Sequence, residues 1–261
     1  MSGNGVIDDR AVVHAGARIG ADATIGPFCV IGDNVVIGDR CRLESQVVVE
    51  GPTEIGPDNH VSPMVSLGGP PQDKKYGGEP TRLRLGSGNR IREFVTVNRG
   101  TVDGDGETSI GDDNLLMAYA HVAHDCHVGN RTILANAATL AGHVEVGDDA
   151  VISAFSAVHQ FCRVARHAFI GGFSVVTRDA LPWVMTVGNR AKGMGLNVVG
   201  LKRGDYSPQV VGALKRCYTL LFRSKLLLED ALKQVEQELG EFEEVRYFVD
   251  FIRTSKRGVC R

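Results

Sequence analysis

The chain has 261 residues, 43% of them hydrophobic, and its 29 Lys and Arg nearly balance 31 Asp and Glu for a formal net charge of −2. That balance argues against a nucleic-acid binder. No apolar run reaches the roughly 20 residues of an integral membrane segment, and the polar stretch from Met1 to Arg10 lacks the core of a signal peptide, so a soluble cytoplasmic protein is expected.

From Ile7 an aliphatic residue recurs every sixth position: Val13, Ile19, Ile25, Ile31, Ile37, Leu43, Val49, Ile55, Val61 and Leu67. The phase returns at Leu85, Ile91 and Val97, slips by one, and runs from Ile110 through Leu116, Val122 and onward to Val176. A six-residue period fits neither a helix nor a hairpin meander. The fourth residue after each aliphatic is mostly small, as at Ala23, Cys29, Ala120, Cys126, Ala138 and Ser156, and glycine often follows the aliphatic, as at Gly26 and Gly38. Each hexapeptide therefore predicts one short strand and a sharp corner, three of them making an 18-residue coil that rises by about 4.8 Å. The fold class expected is an all-β solenoid. Cys29, Cys41, Cys126 and Cys162 occupy the small inward position and read as packing residues, in keeping with a reducing compartment.

Two breaks interrupt the repeat, at about 68–84 and 99–109, and their glycines, prolines and acids predict external loops. Within the first, Gln72, Asp73 and Lys75 are suited to gripping a phosphorylated sugar. Five of the eight histidines then fall between 121 and 159. One coil above His124 is Gly142, beside His143, and a second coil above is Gln160, beside His159, so three imidazoles are expected at nearly the same corner. His124 is the candidate general base, Asp125 its support, and the amide near Gly142 an oxyanion donor worth roughly 3 kcal/mol. Adjacent side chains on a strand point apart, so the His124–Asp125 pairing requires a corner. His127 and His167 are out of register and read as structural.

Residues 1–188 are thus assigned to the solenoid and 189–261 to a linker followed by a helical domain. Ser207-Pro208 predicts a helix start, and helical spacing continues through Phe222, from Leu226 to Leu239 and from Phe242 to Ile252. Residues 190–261 hold 14 basic against 9 acidic residues, whereas the rest of the chain is acidic.

The hexapeptide pattern resembles that of the hexapeptide-repeat acyltransferases, which implies a left-handed parallel β-helix. The stretches Asn114-Leu-Leu-Met117, His121-Val-Ala-His-Asp-Cys-His-Val-Gly-Asn130, Leu134-Ala-Asn-Ala-Ala-Thr-Leu-Ala-Gly-His-Val144, Ala157-Val-His-Gln-Phe-Cys162 and Gly200-Leu-Lys-Arg203 are similar to those of UDP-N-acetylglucosamine O-acyltransferases, which open lipid A biosynthesis. The resemblance implies a homotrimer. It also implies transfer of an (R)-3-hydroxyacyl chain from acyl carrier protein to the sugar 3-hydroxyl, with no cofactor beyond the phosphopantetheine of the donor and no metal. It gives His124, Asp125 and Gly142 the catalytic roles, and His121, His143, His159, Gln160, Gln72, Asp73, Lys75, Asn197 and Arg203 contacts with substrate or carrier. It makes Gly172 the floor of the acyl groove, open to a longer chain. Val199 and Gly204 depart from the family pattern. Two alternatives stay open on the sequence: an N-acyltransferase acting on a related UDP-amino sugar, and a zinc-dependent enzyme of the carbonic anhydrase kind built on His121, His124, His127 and His143.

Overall fold

A computed structural model describes residues 5–261; residues 1–4, the start of the polar N-terminal segment, lie outside the described residues. Short strands of mostly two to four residues wind into a triangular prism whose three faces are sheets of eleven, nine and eight strands, parallel throughout except for the last strand of the first. The 18-residue step is visible in the register, where Val122 pairs with Leu140 and Leu140 with Val158. The paired aliphatics and the small inward residues form one continuous buried column from Ala23 to Ala180. All six cysteines are buried free thiols.

The corners are made differently from the sequence expectation. Glycines that follow the aliphatics do not supply the left-handed backbone; that conformation falls two residues later on non-glycine residues such as Asp125, His143 and Phe161, with φ of 57°, 60° and 62°. The coil below holds each such residue in place, since His143 donates its amide to the His124 carbonyl at 3.1 Å and Phe161 to that of Gly142 at 3.2 Å. Glycine after the aliphatic is needed instead for close stacking: a Cβ at Gly38 would sit 2.6 Å from the backbone of Gly56 in the next coil.

Both loops leave the prism at one corner, between the second and third faces. The first connects strands Ser66–Gly69 and Arg82–Leu85, the second Thr96–Asn98 and Glu107–Ile110. The next coil up turns that same corner at His124 and Asp125. Accordingly Leu67 pairs with Val97 and Val97 with Val122, offsets longer than 18 by the lengths of the two loops.

The stretch read as a linker is ordered differently. Strands Val184–Val187 and Lys192–Leu196 form an antiparallel pair that ends the first face, followed by the short helix α1 (Val198–Arg203). The chain has left the hexapeptide phase by then, so periodicity gave no strand signal. Helices α2 (Pro208–Phe222), α3 (Leu228–Leu239) and α4 (Glu243–Arg253) follow. The Ser207 hydroxyl caps α2 by accepting from the Val210 amide, and Pro208 opens its first turn. Leu214, Cys217, Leu221, Leu232, Val235 and Phe248 share a second core with Trp183 and Val184, which seats the helical bundle on the end of the prism. No helix among the described residues is long and apolar enough to cross a membrane.

Candidate active site

His124 and Asp125 occupy the two turn positions of their corner, and the positive φ of Asp125 swings its side chain back beside the preceding residue. His124 Nδ1 lies 2.8 Å from Asp125 Oδ2. The imidazole is 15% exposed and the carboxylate 2%. Burial works to raise the Asp125 pKa, but hydrogen bonds from the Thr101 hydroxyl and amide, then from His124, outweigh it and leave the carboxyl below its ordinary value. An ionised carboxylate only accepts, so Nδ1 carries a proton, and the neutral ring of that tautomer has its lone pair on Nε2.

Above this pair, Gly142 takes the position of His124 and His143 that of Asp125. The His143 ring meets that of His124 edge-on at 5.2 Å and stacks on Phe161 at 4.4 Å. His143 Nε2 is 3.6 Å from Asp125 Oδ2. Burial lowers the His143 pKa against the pull of Asp125, and burial with the nearness of His124 lowers that of His121. Both shifts favour the neutral imidazole. The Gly142 amide donates to no acceptor among the described residues, leaving a free N–H beside His124.

One cavity of about 690 Å³ is lined by Gln72, Asp73, Lys75, Asp103, His124, His143, Gln160 and Phe161. Six residues singled out from the sequence thus meet in it. Lys75 Nζ is paired with Asp103 at 3.3 Å, which ties the two loops together over the corner. His121 accompanies them from the neighbouring strand, its Nδ1 2.7 Å from the Thr96 hydroxyl.

Other expected residues stand apart. His159 is exposed, turned toward Arg257 with its Nδ1 3.4 Å from the guanidinium, so two imidazoles and not three face the cavity. The one-residue offset between His159 and Gln160 accounts for this, because His159 precedes the turn whereas His124 opens its own. Asn197 and Arg203 line a different hollow of about 510 Å³ with His167, Phe169, Val199 and Gly204. The Asn197 side chain caps α1 there, accepting from the Gly200 amide at 2.9 Å. Gly172 turns the corner between the first and second faces beside the exposed Phe173.

Thr101, Asp103 and Phe161 were missed by the sequence reading. Phe161 follows His143 by 18 residues and was reachable from the coil period; Thr101 and Asp103 lie in an aperiodic loop, where no period relates them to His124. His127, read as structural, donates or accepts at Ser109 and pairs with Asp105 at 3.1 Å. His124, Asp125 and His143 offer three ligand atoms within 4.8 Å of one another. However, the Asp125 carboxylate already accepts from the Thr101 amide and hydroxyl and from His124, which leaves it little capacity for a metal ion. The arrangement suits proton removal by Nε2 beside a free backbone N–H.

Comparison with known proteins agrees in sequence and in shape. Residues 179–260 match the family described as UDP N-acetylglucosamine O-acyltransferase, domain 2, and residues 107–142 the bacterial transferase hexapeptide family of six repeats. An acyl-(acyl-carrier-protein)–UDP-N-acetylglucosamine O-acyltransferase of Thermodesulfovibrio yellowstonii is 50% identical over 220 residues, 84% of this chain and 85% of the relative. The structure of the UDP-N-acetylglucosamine acyltransferase of Francisella novicida superposes with a TM-score of 0.95 at 39% identity, covering 98% of this chain and 94% of the other. That of Bacteroides fragilis gives 0.95 at 38%, covering 98% and 100%. The likeness fixes the sense of winding: the prism is a left-handed parallel β-helix.

Proposed function

Because this chain belongs to the acyl-carrier-protein-dependent UDP-N-acetylglucosamine O-acyltransferases, and as such catalyses the acyl transfer that begins lipid A biosynthesis, we propose that His124 is its general base. The acyl group is an (R)-3-hydroxyacyl chain and the acceptor is the sugar 3-hydroxyl. The observation that carries the proposal is the His124–Asp125 hydrogen bond at 2.8 Å, which leaves Nε2 basic beside a free amide.

His124 Nε2 takes the proton of the acceptor hydroxyl while its oxygen attacks the thioester carbonyl. Asp125 stabilises the imidazolium that forms. The oxyanion accepts a hydrogen bond from the Gly142 N–H, a contribution of about 3 kcal/mol to the barrier. Collapse of the tetrahedral species expels the phosphopantetheine thiolate, which recovers the proton from His124. The thioester is activated on arrival, so no step calls for a metal or an organic cofactor. Gln72, Asp73, Lys75, His121, His143 and Gln160 bind the sugar and its phosphates, and Lys75 exchanges Asp103 for a phosphate oxygen.

The working unit is a homotrimer in this reading. Support comes from the separation of Asn197 and Arg203 from the His124 cavity: the two hollows share no lining residue, so one substrate that touches both sets would do so only with a second copy alongside. His159 joins the cleft from its rim. The chain works in the cytoplasm, where buried thiols such as Cys126 and Cys162 stay reduced.

The test is transfer from a series of hydroxyacyl carrier proteins to UDP-N-acetylglucosamine, with wild type compared to His124→Ala. A fall of about 10²-fold or more supports the base. Undiminished transfer by the variant refutes it. Mixing His124→Ala with Arg203→Ala protein tests the shared cleft, since activity regained in mixed oligomers requires residues from two copies.

A further inference from the structure

The carboxylate behind His124 is held by the loop at residues 99–106. The Thr101 amide donates to Asp125 Oδ1 at 2.8 Å and its hydroxyl to Oδ2 at 2.6 Å. Oδ2 is also the atom that accepts from His124. Thr101 is itself fixed, because its carbonyl accepts from the amides of Gly104 at 3.2 Å and Gly106 at 3.1 Å, and it is 5% exposed. Loop and carboxylate are in such close contact that a Cβ at Gly104 would run into Asp125. From the other side, the Thr108 hydroxyl accepts the Asp125 amide at 2.8 Å and steadies the left-handed backbone.

We propose that Thr101 is a positioning residue of the acyl transfer, acting through Asp125 to fix the tautomer and aim of His124. The alternative open to the carboxylate is His143, whose Nε2 is 3.6 Å from the same oxygen. Two Thr101 donors on two different carboxylate oxygens block the rotation that would bring Oδ2 closer to His143. With the hydroxyl removed, one lock is lost and Oδ2 is divided between two imidazoles, so His124 spends part of its time in the wrong orientation or with its proton on Nε2. The depressed Asp125 pKa agrees, since burial would raise it and the Thr101 hydroxyl and amide are foremost among the hydrogen bonds that overcome this. The insertion in the coil below is what places Thr101 outside the corner, where it reaches back onto Asp125.

Thr101→Val removes the hydroxyl and keeps both the shape and the amide donor; Thr101→Ser restores the hydroxyl. In the valine variant kcat is expected to fall about tenfold or more with KM for UDP-N-acetylglucosamine unchanged, and in the serine variant to stay within about threefold of wild type. In ¹⁵N-histidine-labelled protein, the downfield Nδ1 proton of the His124–Asp125 bond should broaden or move upfield in Thr101→Val and persist in Thr101→Ser. Wild-type kcat in Thr101→Val, or a loss of activity with the proton signal intact, overturns the inference. If the valine variant does not fold, a serine variant that loses either kcat or the proton signal overturns it. The inference rests on His124 as base, and the two fail differently: an active His124→Ala removes the base, whereas an inactive His124→Ala beside a fully active Thr101→Val removes only the role of Thr101.

Discussion

Gly142 lies directly against the imidazole of His124, so that a Cβ at this position would come within 2.6 Å of Cε1 and 2.8 Å of Nε2. Glycine is required here by space, and the same absence of a side chain leaves the Gly142 amide open to a developing oxyanion. In the proposed mechanism two demands thus fall on one backbone position, one coil above His124.

Gly142→Ala is therefore expected to displace the ring and lower kcat by about 10²-fold, the usual scale for a misplacement near 1 Å, with the thermal transition little changed. Steady-state kinetics and a melting curve on the same preparation check this. Full activity in the alanine variant would show that the ring gives way freely.

Asp125→Asn puts an amide where Thr101 presents two donors, so its Nδ2 meets one of them or the His124 N–H. Transfer is expected to fall by roughly 10²–10⁴-fold. The stability consequence has a definite sign. The folded carboxyl lies below its ordinary 3.8, so its contribution is present above that value and is lost as pH falls through the lower folded value. Urea titrations between pH 2 and 5 should show an acid-induced loss in wild type that is smaller in the asparagine variant.

His143 titrates in the other region. Burial depresses its folded pKa below 6.5, so the unfolded chain takes up a proton first as pH falls. Stability is full above 6.5 and declines below it, down to the folded value. His143→Gln should flatten this slope between pH 7 and 5 in denaturant unfolding; an unchanged slope would assign it to other histidines, with His121 the next to replace.

Replacing Gly172 tests the acyl groove. Its Cβ direction meets only the Ala154 carbonyl at 3.4 Å, so a larger side chain enters open space at the corner without straining the coil. Gly172→Met is expected to move preference toward shorter hydroxyacyl donors at unchanged stability, measured as kcat/KM across a donor series. Phe173 and Phe155, stacked on each other at 5.0 Å along the same corner, are the bulky side chains beside it; an unshifted preference would give them the limiting role.

The solenoid was legible because each hexapeptide from Ile25 to Val176 must bury one aliphatic and one small residue, a demand independent of any distant contact; the first coil, from Ile7 to Ile19, keeps the same period at the open end of the prism with its aliphatics exposed or half-buried. The loops were legible as failures of that demand. Asp125 as partner of His124 was legible only as a condition, that a corner fall between them, and the left-handed φ of 57° meets it. His159 was expected beside His124 and His143 and is found toward Arg257, because a strict 18-residue offset locates a coil and not a direction: one step along the chain at a corner turns the side chain from the cavity toward its rim.

Sequence by itself thus determined the coil period, the inward column and the stacking of Gly142 and His143 on His124 and Asp125, since all of these repeat locally or sit at fixed offsets from one another. Tertiary structure alone decided that both loops emerge at the corner His124 turns next, that Thr101 reaches back to clamp Asp125, and that Asn197 and Arg203 face another hollow. Those contacts join segments whose relative placement depends on how the aperiodic loops and the end of the prism fold back in space, and no periodicity encodes that.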